Sequence, residues 1–132
     1  MLRGHCLCGA IRYEADAPPT NETVCHCSMC RRAAGAPVVG WFSVPPGAYR
    51  VVAGTPASYR SSSHVVRTFC GTCGTSLTYQ STRTPHEIDI TTCSLDDPEE
   101  VPPRDHTHAS AKLSWIKLAD GLPAYAELRP KA

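Results

Sequence analysis

Seven of the eight cysteines in this 132-residue chain fall into three short groups, a spacing typical of metal ligands. The groups are Cys6-Leu7-Cys8, Cys25-His26-Cys27-Ser28-Met29-Cys30 and Cys70-Gly71-Thr72-Cys73. Zinc prefers four tetrahedral ligands drawn from thiolates and imidazoles, and a cysteine doublet on a tight turn supplies two of them. Cys70 and Cys73 form such a doublet, and the simplest second doublet is Cys6 with Cys8, two residues apart on one strand face or its bulge. We predict a closed structural zinc site at these four residues, called here the tetracysteine set.

The remaining group, Cys25, Cys27 and Cys30, is called here the cysteine trio. Structural zinc sites are closed by four protein ligands, whereas catalytic sites keep three and leave one position open. Cys27 and Cys30 bracket the start of a predicted helix, where the dipole and the free N–H groups favour thiolates. We therefore predict a second, catalytic zinc here. Three thiolates make the ion a poor activator of water, but a substrate thiol can complete the tetrahedron and be held as a thiolate at neutral pH.

The spacing alone leaves other arrangements open. A single four-cysteine zinc with three incidental thiols, an iron–sulfur centre and a disulfide framework are each compatible with clustered cysteines. The chain begins Met-Leu-Arg-Gly-His-Cys, without the apolar stretch of a signal peptide, so we expect a cytoplasmic protein with reduced thiols. His26 can also bind a metal, but between two ligating cysteines we expect it to point away. Cys93 stands alone in a strand-like segment, and we expect it to be a small buried side chain.

The elements that must position these ligands are predicted from short segments rich in β-branched and aromatic residues, which prolines separate. The predicted strands are 10–14, 38–42, 49–52, 65–69, 76–79 and 88–91. Several alternate in polarity and follow one another at about 8 to 14 residues, as strands of antiparallel sheets do. Residues 28–34 form the one predicted helix, because alanine and arginine favour helix and Gly35 supplies a stop. The sequence therefore predicts a mainly β fold of antiparallel sheets with one short helix.

Length and composition limit the classes of protein to consider. A chain of 132 residues suits one domain, so we expect residues 1–132 to form a single zinc-binding domain. The net charge of +1 indicates no basic face for nucleic acid, and no apolar run approaches the ~20 residues of a membrane span. We expect neither a nucleic acid nor a membrane as a partner. An exposed sheet edge can pair two chains, which leaves a homo-oligomer open.

The cysteine groups, read with their neighbours, resemble the glutathione-dependent formaldehyde-activating enzyme family. The matching segments are GHCLCGAIRY at 4–13, CHCSMCRR at 25–32, FCGTCGT at 69–75, Gly35-Ala36-Pro37, Ser94-Leu95-Asp96, His106, Ser110, Lys112, Trp115, Leu122-Pro123 and Tyr125. The resemblance implies a β-tent fold related to zinc ribbons. It also implies a structural zinc at the tetracysteine set and a second zinc at the trio, where glutathione binds through its sulfur. Thr107 and His108 depart from the family, which usually has apolar residues there.

The trio and the resemblance together predict a carbon–sulfur lyase that joins glutathione to formaldehyde or a related small aldehyde as an S-hydroxyalkyl adduct. Cys25, Cys27 and Cys30 are the predicted catalytic residues. Arg31 and Arg32, directly after the trio, are expected to meet the carboxylates of glutathione. A non-catalytic thiol carrier is the alternative, because thiols add to formaldehyde readily without help. A zinc-built interaction module is a further alternative, since the family also resembles centromere protein V, a chromosome-associated protein.

Histidine and aromatic side chains near these motifs have a functional and a structural interpretation. His106 has the chemistry to pass a proton to a nascent alkoxide, but we expect a structural, hydrogen-bonded role. Trp41 and Phe42 can wall a pocket, yet core packing is the expectation for both, and also for Trp115.

Overall fold

The computed structural model describes residues 1–130, and this part of the chain contains ten β-strands and one α-helix. Lys131 and Ala132, which belong to the predicted domain, lie outside the described residues. The elements are β1 Leu2–His5, β2 Arg12–Ala15, β3 Thr20–Cys25, α1 Ser28–Ala34, β4 Val39–Val44, β5 Tyr49–Ala53, β6 Ala57–Arg60, β7 Val65–Phe69, β8 Ser76–Ser81, β9 Ile88–Thr91 and β10 Asp105–Thr107. The helix, at seven residues, is far too short to cross a membrane.

The strands form two sheets. β1, β2 and β5 make a three-stranded antiparallel sheet in that order. The other seven make a second sheet in the order β10-β3-β4-β9-β8-β7-β6, and every pairing is antiparallel except β10 with β3. The prediction of a mainly β fold with one short helix is confirmed, and the parallel pair adds a mixed edge to the expected antiparallel sheets. The helix spans the predicted residues and ends at Gly35, whose φ of 61° is the left-handed conformation that glycine adopts without strain.

Two buried clusters connect the sheets to the cysteines. The larger joins β2 of the small sheet to β4, β8 and β9 of the large sheet, and Cys6 and Cys70 belong to it. Phe42 is fully buried in this cluster, as expected. The smaller cluster packs Trp41 against Cys25 and Cys30. Each large apolar side chain contributes about 1.5–3 kcal/mol when buried, so the buried cysteines of the two clusters are held by well-packed neighbours. These cysteines are Cys6, Cys25, Cys30 and Cys70.

After β10 the chain turns back on itself. Backbone hydrogen bonds join this C-terminal segment to β10: the Tyr125 N–H donates to the His106 carbonyl at 2.8 Å, and the His106 N–H donates to the Pro123 carbonyl at 2.9 Å. Arg129 adds an ion pair with the buried Asp105, with Nε 2.6 Å from Oδ2. The segment is thereby fixed to β10, and through β10 to β3, the strand that ends at the cysteine trio.

Candidate metal centres

The first half of the tetracysteine set lies on a tight turn between β1 and β2. The turn is closed by the Gly9 N–H, which donates to the Cys6 carbonyl at 3.0 Å, and Gly9 has a φ of 79°. The Ile11 N–H donates to the Cys6 sulfur at 3.3 Å, a contact that favours the thiolate. We expected Cys6 and Cys8 on a strand face or a bulge, and this is wrong. β1 ends at His5, and the turn that follows brings the Cys6 and Cys8 sulfurs to 3.6 Å from one another.

The second half is built the same way between β7 and β8. The Gly74 N–H donates to the Cys70 carbonyl at 2.8 Å, and the N–H groups of Thr72 and Cys73 both donate to the Cys70 sulfur at 3.4 Å. The Thr75 hydroxyl lies 3.3 Å from the Cys73 sulfur. Hydrogen bonds from the Thr75 side chain and backbone lower the pKa of the Cys73 thiol to about 5. This turn therefore stabilises thiolates with its own backbone.

The two turns bring all four sulfurs within 4.8 Å of one another. The Cys8 sulfur lies 3.6 Å from that of Cys6 and 3.7 Å from that of Cys70. Four sulfurs at about 2.3 Å from a tetrahedral zinc would be separated by about 3.8 Å, so the spacing fits that ion. The same distances are far longer than the ~2.05 Å of a disulfide, and every cysteine in the chain is a free thiol.

The cysteine trio lies where β3 passes into α1. Cys25 is the last residue of β3, Cys27 caps the helix and Cys30 lies in its first turn. The Cys27 sulfur accepts a hydrogen bond from the Cys30 N–H at 3.4 Å, the contact made by a helix-capping side chain. The three sulfurs lie within 4.8 Å of one another. Cys25 and Cys30 are buried, whereas Cys27 is partly exposed, so the accessible side of the trio is the side of Cys27.

The three thiols of the trio share protons unequally. Hydrogen bonds from the Cys25 and Cys30 thiols lower the pKa of Cys27 to about 2. The same contact raises the pKa of Cys25 well above its ordinary range. Cys27, at the start of the helix and on the accessible side of the group, is therefore the sulfur of the trio that most readily forms a thiolate.

His26, between two cysteines of the trio, does not join them. Its ring is fully buried, and Nε2 lies 2.9 Å from Nδ1 of His106. His106 is also buried, and its Nε2 lies 2.7 Å from Oδ2 of Asp120. Both ring nitrogens of His106 are therefore engaged within the protein, which agrees with the expected structural role and leaves neither nitrogen for a substrate. Asp120 was not among the predicted residues, since no spacing rule connects it to either histidine.

A groove of about 410 Å³ runs along α1, beginning at Ser28, the residue that follows Cys27 in the chain. It is lined by Ser28, Arg31, Arg32, Gly35, Ala36, Pro37, Leu113 and Trp115. Arg31 donates from one guanidinium nitrogen to the carbonyls of His26 at 2.8 Å and Ala111 at 2.6 Å. Arg32 is exposed, and within residues 1–130 its side chain has no hydrogen-bonding or ionic partner. Both predicted arginines therefore lie at the groove, one braced against the backbone and one facing solvent.

Two expectations about single side chains are wrong. Trp115 is 65% exposed and lines the groove instead of packing in the core, because it belongs to the irregular segment after β10. Cys93 is exposed instead of buried. It lies on a short 3₁₀ turn after β9, where Thr92 and Ser94 on either side are the buried residues.

Comparisons with known proteins find a matching family profile, related sequences and a solved structure with a similar fold. The sequence profile of the glutathione-dependent formaldehyde-activating enzyme family matches residues 1–111. A Halomonas elongata protein, provisionally named as such an enzyme, is 28% identical over 130 residues, which covers 89% of this chain and 81% of that protein. An uncharacterized lyase of Schizosaccharomyces pombe is 34% identical over 79 residues, 60% of this chain and 57% of the relative. A Rhodobacter sphaeroides crystal structure, 22% identical, has the same fold, with a TM-score of 0.62 over 93% of this chain and 98% of that one.

Proposed function

Because the chain belongs to the glutathione-dependent formaldehyde-activating enzyme family, we propose that it joins glutathione, or a similar small thiol, to formaldehyde or a related small aldehyde. In this reaction the sulfur adds to the carbonyl carbon, the π electrons move to oxygen, and that oxygen gains a proton. The product is an S-hydroxyalkyl adduct, and the reverse reaction is that of a carbon–sulfur lyase. The observation that supports the proposal is the trio, with three sulfurs within 4.8 Å and one of them accessible.

The donor sets fit two zinc ions of different kinds. The tetracysteine set offers four sulfurs at tetrahedral spacing and would hold a structural zinc, closed to other ligands. The trio offers three sulfurs and would hold a second zinc with its fourth position open. Bound there, the ion would supply positive charge that keeps a substrate sulfur deprotonated at neutral pH.

The residues around the trio bind and orient the thiol in this proposal. The thiol approaches on the side of Cys27, since Cys25 and Cys30 are buried. Arg31 and Arg32 line the groove along α1, the helix that Cys27 caps, and carboxylates of glutathione are their proposed partners. Arg32 is the better placed of the two, because Arg31 already donates to two backbone carbonyls.

The rate gain comes from proximity in this account. A thiol fixed at the trio and in the groove meets the aldehyde in one orientation, which replaces a bimolecular encounter by a local one. The exposed indole of Trp115 forms an apolar wall of the groove and contributes to that orientation. We further propose that residues 1–132 act as one zinc-binding domain in the cytoplasm, where thiols stay reduced.

Exchange NMR of formaldehyde with glutathione tests the proposal. The zinc-loaded protein should accelerate exchange between free and adduct formaldehyde. Cys27→Ser should stay folded, because serine is a good helix cap, but should lose the acceleration. Cys93→Ser, an exposed cysteine outside both sets, is the matched control and should behave as wild type. Glutathione binding without any acceleration by the wild-type protein would reject the enzyme and leave the thiol carrier.

A further inference from the structure

A chain of three hydrogen-bonded side chains runs from the surface to the loop that carries the trio. Asp120, which is 46% exposed on its side chain, contacts His106, and His106 contacts His26, at 2.7 and 2.9 Å. Both imidazoles are buried. Burying two imidazole rings costs free energy unless their nitrogens are hydrogen-bonded. Here the two rings are buried next to a candidate metal centre.

The carboxylate fixes the direction of the hydrogen bonds. Asp120 as a carboxylate only accepts, so Nε2 of His106 carries a proton, which in a neutral imidazole leaves none on Nδ1. Nδ1 of His106 is then the acceptor, and the proton of the His26 ring lies on Nε2. Nδ1 of His26 remains as a buried acceptor without a hydrogen-bond partner among the described residues. One surface group thereby sets the tautomer of both buried rings.

Residue 26 is held at three points, one on its ring and two on its backbone. Its ring is held by His106, its backbone N–H donates to the Thr107 carbonyl at 3.1 Å, and its carbonyl accepts from Arg31 at 2.8 Å. Cys25 and Cys27 are its neighbours in the chain, so fixing residue 26 on both backbone and side chain restrains the backbone from which two of the three sulfurs project. Outer groups that orient ligands in this way strongly affect how tightly a metal is held.

We infer that Asp120, His106 and His26 form a positioning chain that holds the cysteine trio in its metal-binding shape and couples it to the segment forming the groove wall. Asp120 belongs to the same segment as Leu113 and Trp115, which line the groove. The inference rests on the proposed function, because it assumes a metal at the trio. It concerns retention of that metal and requires neither glutathione nor aldehyde.

The test compares zinc release from full-length, zinc-loaded variants to a chromophoric chelator. Asp120→Ala should release one of two zinc ions about tenfold faster than wild type and leave the other unchanged. Asp97→Ala is the matched control. The Asp97 carboxylate accepts a hydrogen bond from the Glu99 N–H at 3.1 Å, just as the Asp120 carboxylate accepts one from the Leu122 N–H at 3.0 Å. Asp97 contacts neither histidine, and its variant should release both ions as wild type does.

A second readout follows the tautomers by ¹⁵N NMR of the imidazoles. Wild type should show His106 and His26 both protonated at Nε2. Asp120→Asn keeps an acceptor for the Leu122 N–H but presents an amide N–H to His106, so the His106 proton should move to Nδ1. Unchanged release from Asp120→Ala, equal acceleration of both ions, or a wild-type His106 protonated at Nδ1 would overturn the inference alone. A wild-type protein that holds only one zinc would overturn the proposed function as well.

Discussion

Removing one sulfur from the tetracysteine set should destabilise the whole protein, whereas removing one from the trio should not. The two sets differ in what they connect. The tetracysteine set links residues 62 apart in sequence, from Cys8 to Cys70, and two of its members, Cys6 and Cys70, belong to the main core. The trio spans six consecutive positions at the junction of β3 and α1. We predict that Cys70→Ser lowers the free energy of unfolding far more than Cys27→Ser does.

The magnitude follows from the length of the closed loop. In the chain-entropy model, releasing a cross-link that closes about 62 residues costs about 4 kcal/mol at 25 °C. The whole contribution of a structural zinc to folding, which includes this loop term, is on the order of 10 kcal/mol. A protein of this size is stable by about 5–15 kcal/mol, so Cys70→Ser should be largely unfolded. Cys27→Ser closes no long loop and keeps a helix cap, so its cost should stay near 1 kcal/mol.

Urea unfolding followed by circular dichroism in reducing, zinc-replete buffer measures both variants against wild type. Cys70→Ser should show no cooperative transition, or a free energy of unfolding at least about 4 kcal/mol below that of wild type. Equal stability of the two variants would refute the division into a structural set and an open trio. A chelator titration of wild type supplies an independent check, since removing the tetracysteine zinc should unfold the protein.

Three further substitutions test other parts of the account. Trp115→Ala should weaken glutathione binding about fivefold by calorimetry, equivalent to about 1 kcal/mol, and leave thermal stability unchanged, because the side chain is exposed. Burial raises the pKa of Asp89 to about 6, so the contribution of this carboxyl to stability falls as the pH rises from about 4 to 6. Asp89→Asn, which keeps an acceptor for the Ser43 hydroxyl, should therefore gain about 1–3 kcal/mol in urea unfolding at pH 7.5 and nothing below pH 4. Gly4→Ala would place a methyl 2.3 Å from the Tyr13 ring and should cost about 1–3 kcal/mol in the same assay.

The parts of the fold that the sequence predicted are those with strong local signals. The six predicted strands are rich in β-branched and aromatic residues, and α1 has alanines, arginines and a glycine stop. The strands that were missed, β1, β3, β6 and β10, are polar or short, and they exist because neighbouring strands pair with them. Their pairing is a tertiary effect that no local pattern records.

The candidate site was likewise predicted from the sequence only in part. Cysteine spacing identified both groups of sulfurs, because metal chemistry constrains residue type and distance together. It did not identify Asp120, which reaches the site only because the C-terminal segment folds back beside β10. The exposure of Trp115 depends on the same segment.

We propose that two groups of sulfurs hold two metals, one closed and one open to a thiol. A crystal structure of the zinc-loaded protein soaked with glutathione, with anomalous scattering recorded at the zinc edge, tests this arrangement of metals most directly. We predict two zinc peaks per chain, one within the four sulfurs of the tetracysteine set and one bound by the trio and the glutathione sulfur. No peak at the trio, or a fourth protein ligand there that glutathione does not displace, would contradict the account.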